Sequence, residues 1–211
     1  MAAATTRCFL VRHGETEFNR LGVFRGRYEV DLNDAGRDQA REIGLALRGQ
    51  GIETILAGPL SRAVETASIV GEVLGLKPEV DEAFNNIALG KWQGVAKDKI
   101  KEEFPEMWCL WTTEPEKLII PGGETIAQVQ ERSFRGLKRV IRERGGTFAI
   151  VTHRSVIKTL AAAMLDVPAP YFWRFYIDNA AYSVFEHGES GFTLITWNNN
   201  AHLSRKVTEV F

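Results

Sequence analysis

The sequence predicts an α/β fold, a doubly wound and mainly parallel sheet with helices on both faces. Three observations lead there. Short strand-like runs at Cys8–Val11, Glu53–Ala57 and Thr147–Thr152 have the apolar centres of strands covered on both sides. Longer stretches with apolar residues at helical spacing separate them. Each run also stops abruptly at a glycine or an ionisable residue, where a strand hands over to a loop.

Taken in order, Cys8–Val11 delivers Arg12, His13 and Gly14 to its carboxyl end. Glu17–Val30 holds Gly22, Gly26 and scattered arginines without apolar periodicity and reads as an irregular loop. Asn33-Asp34 starts a helix with the stripe Ala40, Ile43, Leu47, and Gly49 and Gly51 stop it. The strand Glu53–Ala57 meets the turn Gly58–Arg62, and a second helix follows with Ala63, Ala67, Val70 and Leu74 facing inward until Gly75. From Asn85 to Pro121 the composition changes: Trp92, Trp108 and Trp111 sit among many charges, with one short helix at Lys97–Phe104. This segment reads as an inserted cap or side wall whose aromatics form its own local core. Pro121–Thr125 turns the chain into a long helix from Ile126 to about Glu143, with Ile126, Val129, Ser133, Leu137, Val140 and Ile141 on one face and Gly145-Gly146 closing it.

After Thr147–Thr152 come His153, Arg154 and a helix over Ser155–Leu165. Pro168 and Pro170 break the chain before an aromatic helix or turn at Tyr171–Tyr176. Ala181–Glu186 and Phe192–Trp197, joined by residues 187–191, read as a hairpin at the sheet edge. There is no repeat, linker or low-complexity tract, so residues 1–211 are expected to form one domain with an insert over approximately 85–121.

The bulk numbers exclude several classes. A hydrophobic share of 45% and a charged share of 25% are those of a soluble globular protein, and no run approaches the roughly 20 apolar residues of a membrane span. Met1–Thr6 lacks the charged start and apolar centre of a signal peptide, which points to the cytoplasm. With a net charge of −1 and no basic run, neither nucleic acid nor membrane is an expected partner. Cys8 and Cys109 suit reduced thiols, and four unpaired histidines give no metal-ligand spacing, so no metal and no cofactor is expected. The hairpin edge leaves a homodimer open.

An Arg-His pair after a strand is commonplace at a surface turn. Here Arg62 stands at the amino end of the helix after the second strand, and His153 ends the third strand. Parallel strand ends converge on one crevice, so these residues form a candidate site. A first-turn arginine is disfavoured by the helix dipole and calls for an anion nearby. Two imidazoles and two guanidiniums can grip a phosphate dianion, with a neutral imidazole as the group that attacks phosphorus. In-line displacement then needs a proton for the departing oxygen.

The stretch Leu10-Val11-Arg12-His13-Gly14-Glu15-Thr16 resembles the signature of the histidine phosphatase superfamily, in the branch that contains the cofactor-dependent phosphoglycerate mutases. Asn19, Phe24-Arg25-Gly26, Leu32-Asn33 with Gly36 and Gln39-Ala40, Leu60–Ala63 with Glu65–Ala67, Leu89-Gly90 with Trp92 and Gly94, Pro121–Glu124, Thr152-His153 and Asn200–Leu203 fall in family order. The resemblance implies the same doubly wound sheet, His13 as phosphoryl acceptor, Arg12, Arg62 and His153 as the phosphate pocket and Asn19 as an added ligand. Arg25, Gly26 and Glu124 belong to the expected substrate-binding set. Small members hydrolyse phosphomonoesters, whereas mutases usually carry a longer insert than Trp92–Pro121, so hydrolysis of a small phosphorylated metabolite is expected, with the mutase reaction as an alternative.

One departure bears on mechanism. The family usually places an acid/base glutamate just before the Ile-x-x-Gly-x-Trp stretch, and this chain has Asn86 there. An amide cannot exchange a proton usefully. Either another carboxylate (Glu124 first, then Glu82, Asp81 or Asp98) substitutes, or the protein is a phosphometabolite binder or regulator with weak turnover, or Asn86 is an introduced change. Arg154 is a second departure, where relatives carry a small residue; its charge faces either substrate or, as the favoured reading, solvent.

Overall fold

In the computed structural model, residues 5–205 are described; Met1–Ala4, the start of the stretch read for targeting, lie outside them. Six strands form one sheet: β1 (Thr6–Arg12), β2 (Thr54–Ala57), β3 (Glu79–Val80), β4 (Thr147–Thr152), β5 (Tyr182–Gly188) and β6 (Gly191–Asn199). Their spatial order is β3-β2-β4-β1-β5-β6. β3, β2, β4 and β1 run parallel, while β5 pairs antiparallel with β1 and β6 with β5. The mainly parallel α/β fold class read from the sequence is thus the fold class found, hairpin edge included.

Side chains of each central strand alternate between two apolar layers, as the two-residue period of a strand demands. Phe9, Val11, Ile55, Ala57, Ala149 and Val151 point to one face, where α2 (Asp34–Leu47) and α3 (Ser61–Leu74) cover them with Ile43, Leu47, Ala67 and Val70. Cys8, Leu10, Leu56, Phe148 and Ile150 point to the other, where α6 (Ile126–Glu143) and α7 (Arg154–Met164) supply Val129, Leu137, Val156 and Leu160. Both faces are covered, so the strands read as unbroken apolar runs. Truncating a fully buried member such as Leu10 to alanine costs about 2–5 kcal/mol.

Three differences from the sequence reading have physical causes. The loop after β1 contains a one-turn helix, α1 (Glu17–Arg20), too short to show a stripe. The Trp-rich insert holds two helices, α4 (Lys97–Glu103) and α5 (Pro105–Thr113), because Phe104 before a proline leaves helical geometry and Pro105 restarts the helix at its first position. The edge strand β3 is two exposed residues and carries no apolar signal. The β5–β6 turn is also tighter than residues 187–191, with only Glu189 and Ser190 between the strands.

Register places the site. Arg12 lies opposite Thr152, and Ala57 opposite Val151, so the chain leaves β1, β4 and β2 at one level. His13, His153 and the turn leading to Arg62 therefore emerge side by side.

Candidate active site

The segment after β1 is held by backbone contacts. The His13 amide donates to the Thr152 carbonyl at 3.0 Å, and the His13 carbonyl accepts from the Ala180 amide at 3.2 Å. The Gly14 amide donates to Thr66 Oγ1 (3.1 Å), whose hydroxyl donates to the Arg62 carbonyl (2.7 Å), so α3 is tied to this turn. A Cβ on Gly14 would lie 2.4 Å from the Gly36 carbonyl oxygen, and one on Gly36 would lie 2.2 Å from that of Glu15. Only a pair of glycines lets the start of α2 come this close. Gln39 Oε1 then accepts from the Glu15 amide (2.9 Å), and Asn33 Nδ2 donates to Glu15 Oε1 (2.7 Å). The Asn33, Gly36 and Gln39 pattern thus clamps the turn that presents His13.

His13 Nδ1 lies 2.7 Å from the Gly14 carbonyl. A carbonyl can only accept, so Nδ1 carries the hydrogen in this assignment and Nε2 keeps the lone pair. The His13 and His153 rings are 5.2 Å apart, and both residues are buried. Burial first, then the charges of Arg62, Arg12 and Arg25, hold His13 well below the usual imidazole range, against a smaller opposing effect of the Gly14 carbonyl. Burial, followed by Arg62 and the other neighbours, does the same to His153. Both imidazoles are therefore neutral at neutral pH.

Arg62 is wholly buried, not a solvated first-turn arginine. Its Nη1 donates to the Tyr28 carbonyl and its Nη2 to the Gly26 carbonyl, each at 2.9 Å. Burial, Arg25 and Arg12, offset in part by Glu29, push it down to about 9, so it stays a cation at neutral pH. Arg62 Nε and both ring nitrogens of His153 have no hydrogen-bond partner among the described residues. Buried polar groups are normally satisfied, and such exceptions beside Arg12 and Arg25 make an arrangement chemically suited to an oxyanion. Arg12 Nη1 donates to the Ile177 carbonyl at 2.8 Å, which fixes its guanidinium.

Arg12, His13, Arg25, Gly26, Asn86 and His153 line one cleft of about 50 Å³; Arg62 backs it through its bond to the Gly26 carbonyl. Two other sequence candidates do not line it. Asn19 spends Oδ1 on the Thr16 amide (3.0 Å) and hydroxyl (2.8 Å) at the start of α1. Glu124 receives Arg132 Nε (2.8 Å), the Ala88 amide (2.9 Å) and Arg27 Nη2 (3.1 Å). Burial alone would raise its carboxyl, but these bonds and charges outweigh it and hold Glu124 below the usual carboxylate range. That is a clamp between segments and a poor proton donor. Asp81 caps the turn at Ala83 and pairs with Arg139, and neither it, Glu82 nor Asp98 lines the cleft.

Asn86 uses both ends of its amide. Nδ2 donates to the Gly26 carbonyl and Oδ1 accepts from the Ser155 hydroxyl, both at 2.7 Å. Sequence reasoning missed Ser155, Lys97, Trp111 and Phe172 as lining residues, and read Arg154 as solvent-facing although it is half-buried on the cleft wall. Ser155 was legible as the hydroxyl in the first turn after His153; Lys97 and Trp111 were hidden by the irregular insert.

The chain matches the model of the histidine phosphatase superfamily (branch 1) over residues 8–200. Phosphoserine phosphatase 1 of Hydrogenobacter thermophilus is 31% identical over 205 residues, which are 96% of this chain and 97% of that protein. Among solved structures, Bacillus stearothermophilus YhfR superposes with a TM-score of 0.89 at 29% identity, covering 94% of this chain and 100% of that one. A mycobacterial glucosyl-3-phosphoglycerate phosphatase superposes with a TM-score of 0.86 at 27% identity, covering 92% and 100%.

Proposed function

The chain belongs to the histidine phosphatase superfamily, branch 1, and stands among phosphatases; on that premise we propose that it hydrolyses a small phosphomonoester through a phosphohistidine at His13, without a metal. The observation that carries this reading is the commitment of His13 Nδ1 to the Gly14 carbonyl, which leaves Nε2 as a neutral nucleophile among Arg12, Arg25 and Arg62. Nε2 attacks phosphorus, the bond from phosphorus to the ester oxygen breaks, and the electron pair leaves with that oxygen. Water then attacks the phosphohistidine, the P–N bond breaks and inorganic phosphate departs. The arginines stabilise charge on the phosphoryl oxygens in both steps. His153 faces the same phosphoryl group as a neutral hydrogen-bonding partner.

Turnover of an aryl phosphate in the presence of a chelator, abolished by His13→Ala, tests this; persistent activity in that variant sinks it. A second reading, a phosphometabolite binder with weak turnover, draws on the absence of any carboxylate among the residues lining the cleft. Saturable binding of a phosphate ester without release of phosphate would favour it.

A further inference from the structure

Beside the cleft at His13 lies a second chamber of about 140 Å³, and the two share Lys97, Trp111 and Arg154. Trp108, Thr112 and Trp173 complete the second chamber. Its indoles are held in place. Trp173 Nε1 donates to the Trp111 carbonyl at 2.5 Å, and the two rings meet edge to face at 5.4 Å. The buried Lys158 ammonium sits 4.3 Å from the Trp173 ring centre and 4.7 Å from that of Phe172, fixing the ring from α7, while the Arg154 guanidinium carbon lies 5.9 Å from Trp173. Apolar space of about 150 Å³ is enough to take up a benzene ring.

Two independent features constrain what occupies this chamber. No carboxylate lines either chamber, and the amide at Asn86 is engaged at both ends, so no lining carboxylic acid protonates the leaving oxygen. An aliphatic alkoxide, whose conjugate acid is about as weak as water, leaves badly without a proton, whereas a phenolate like that of tyrosine, with a pKa of about 10, leaves readily. The chamber beside the cleft is ring-sized, walled by indoles and bordered, where it adjoins the cleft, by the cations Lys97 and Arg154. We propose that it is the leaving-group subsite, and that the substrate class is an aryl phosphate monoester whose ring carries a second negative charge. This rests on His13 acting as the nucleophile. The bond from Nε2 to phosphorus forms, the bond from phosphorus to the aryl oxygen breaks, and the phenolate takes its electron pair and acquires its proton from solvent.

The test uses the full chain with 4-carboxyphenyl phosphate, phenyl phosphate and glycerol phosphate. Both aryl esters exceed glycerol phosphate in kcat/KM by at least about 10²-fold, the scale of the carboxylic-acid catalysis missing at Asn86. Arg154→Gln and Lys97→Gln each lower the ratio of kcat/KM for the carboxylated ester to that for phenyl phosphate by about threefold to fivefold. Trp108→Ala lowers the ratio of phenyl phosphate to glycerol phosphate by about tenfold. A separate arm titrates the non-hydrolysable 4-carboxybenzylphosphonate against tryptophan fluorescence, and saturable quenching is expected. Quenching that Trp108→Ala weakens, without turnover of any ester, keeps the chamber as a site for the aryl ring but overturns the hydrolase reading and with it the leaving-group role. Turnover with ratios that none of the three variants alters overturns the subsite and leaves the hydrolase reading intact.

Discussion

The Ser155 hydroxyl donates to Asn86 Oδ1 at 2.7 Å, and the same amide donates through Nδ2 to the Gly26 carbonyl at 2.7 Å. Asn86 thereby joins the first turn of α7 to the loop that also receives Arg62. An amide suits this place because it offers a donor to one neighbour and an acceptor to the other; an ionised carboxylate offers acceptors only.

Asn86→Glu separates the chemical role from the structural one. Added acid–base capacity raises kcat on glycerol phosphate by about 10²-fold or more. Loss of the bond donated to the Gly26 carbonyl costs about 1–3 kcal/mol of stability. Steady-state kinetics and urea denaturation measure the two effects. An unchanged kcat on the alkyl ester would show that a proton donor already serves the site.

His13→Ala reduces kcat/KM by at least about 10³-fold, since the nucleophile is lost. Mass spectrometry of rapidly quenched wild-type enzyme finds one phosphoryl group on the peptide containing His13 and none in the variant. A phosphoryl group on another residue would reassign the acceptor.

Glu124→Gln tests the clamp. Loss of the charged bonds to Arg132 and Arg27 lowers stability by about 1–3 kcal/mol, while the amide keeps an acceptor for the Ala88 amide. The pH profile of kcat keeps its shape. Disappearance of one limb would make Glu124 the missing acid or base.

Gly14→Ala and Gly36→Ala each force a Cβ against a backbone carbonyl and destabilise by about 1–3 kcal/mol or more. Denaturant midpoints read this directly. Alanine tolerated at both positions would mean that the two backbones can separate without cost.

Stability falls as pH drops below about 6.5. The unfolded chain binds protons at His13 and His153 there, while the folded chain, with both imidazoles held well lower by burial and by the arginines, does not. Each contributes a slope of up to about 1.4 kcal/mol per pH unit between the unfolded and the folded pKa, and none above the unfolded value. Urea midpoints at pH 7 and pH 5 fall less in His153→Gln than in wild type; equal falls would refute the buried neutral assignment.

Much of this was legible in the chain because the central strands bury both faces and so advertise themselves. β1, β2, β4 and helices α2, α3, α6 and α7 all carry continuous or periodic apolar signals. β3 and α1 do not: two exposed residues and one helical turn are placed by their neighbours. For the site, the strand-end positions of Arg12, His13 and His153 follow from topology. Asn19 and Glu124 belong to the right motifs, yet Asn19 is spent on a local bond to Thr16 and Glu124 on a clamp between distant segments, neither of which spacing can reveal. The aromatics of the Trp-rich insert are expected to form a local core, but Trp92 and Trp111 join the main core layer and pack on Phe24 from outside the insert; Trp111 also reaches the cleft.

β4 lies between β1 and β2, although it is translated long after both. A ribosome therefore releases two apolar strands that have no partner in each other, and holds them so until Thr147–Thr152 emerges. At about 5–20 residues per second that interval is on the order of 5–20 s. The nascent chain passes through it with aggregation-prone surface uncovered, and His153 joins His13 and the arginines only when the last parallel strand slots between the first two.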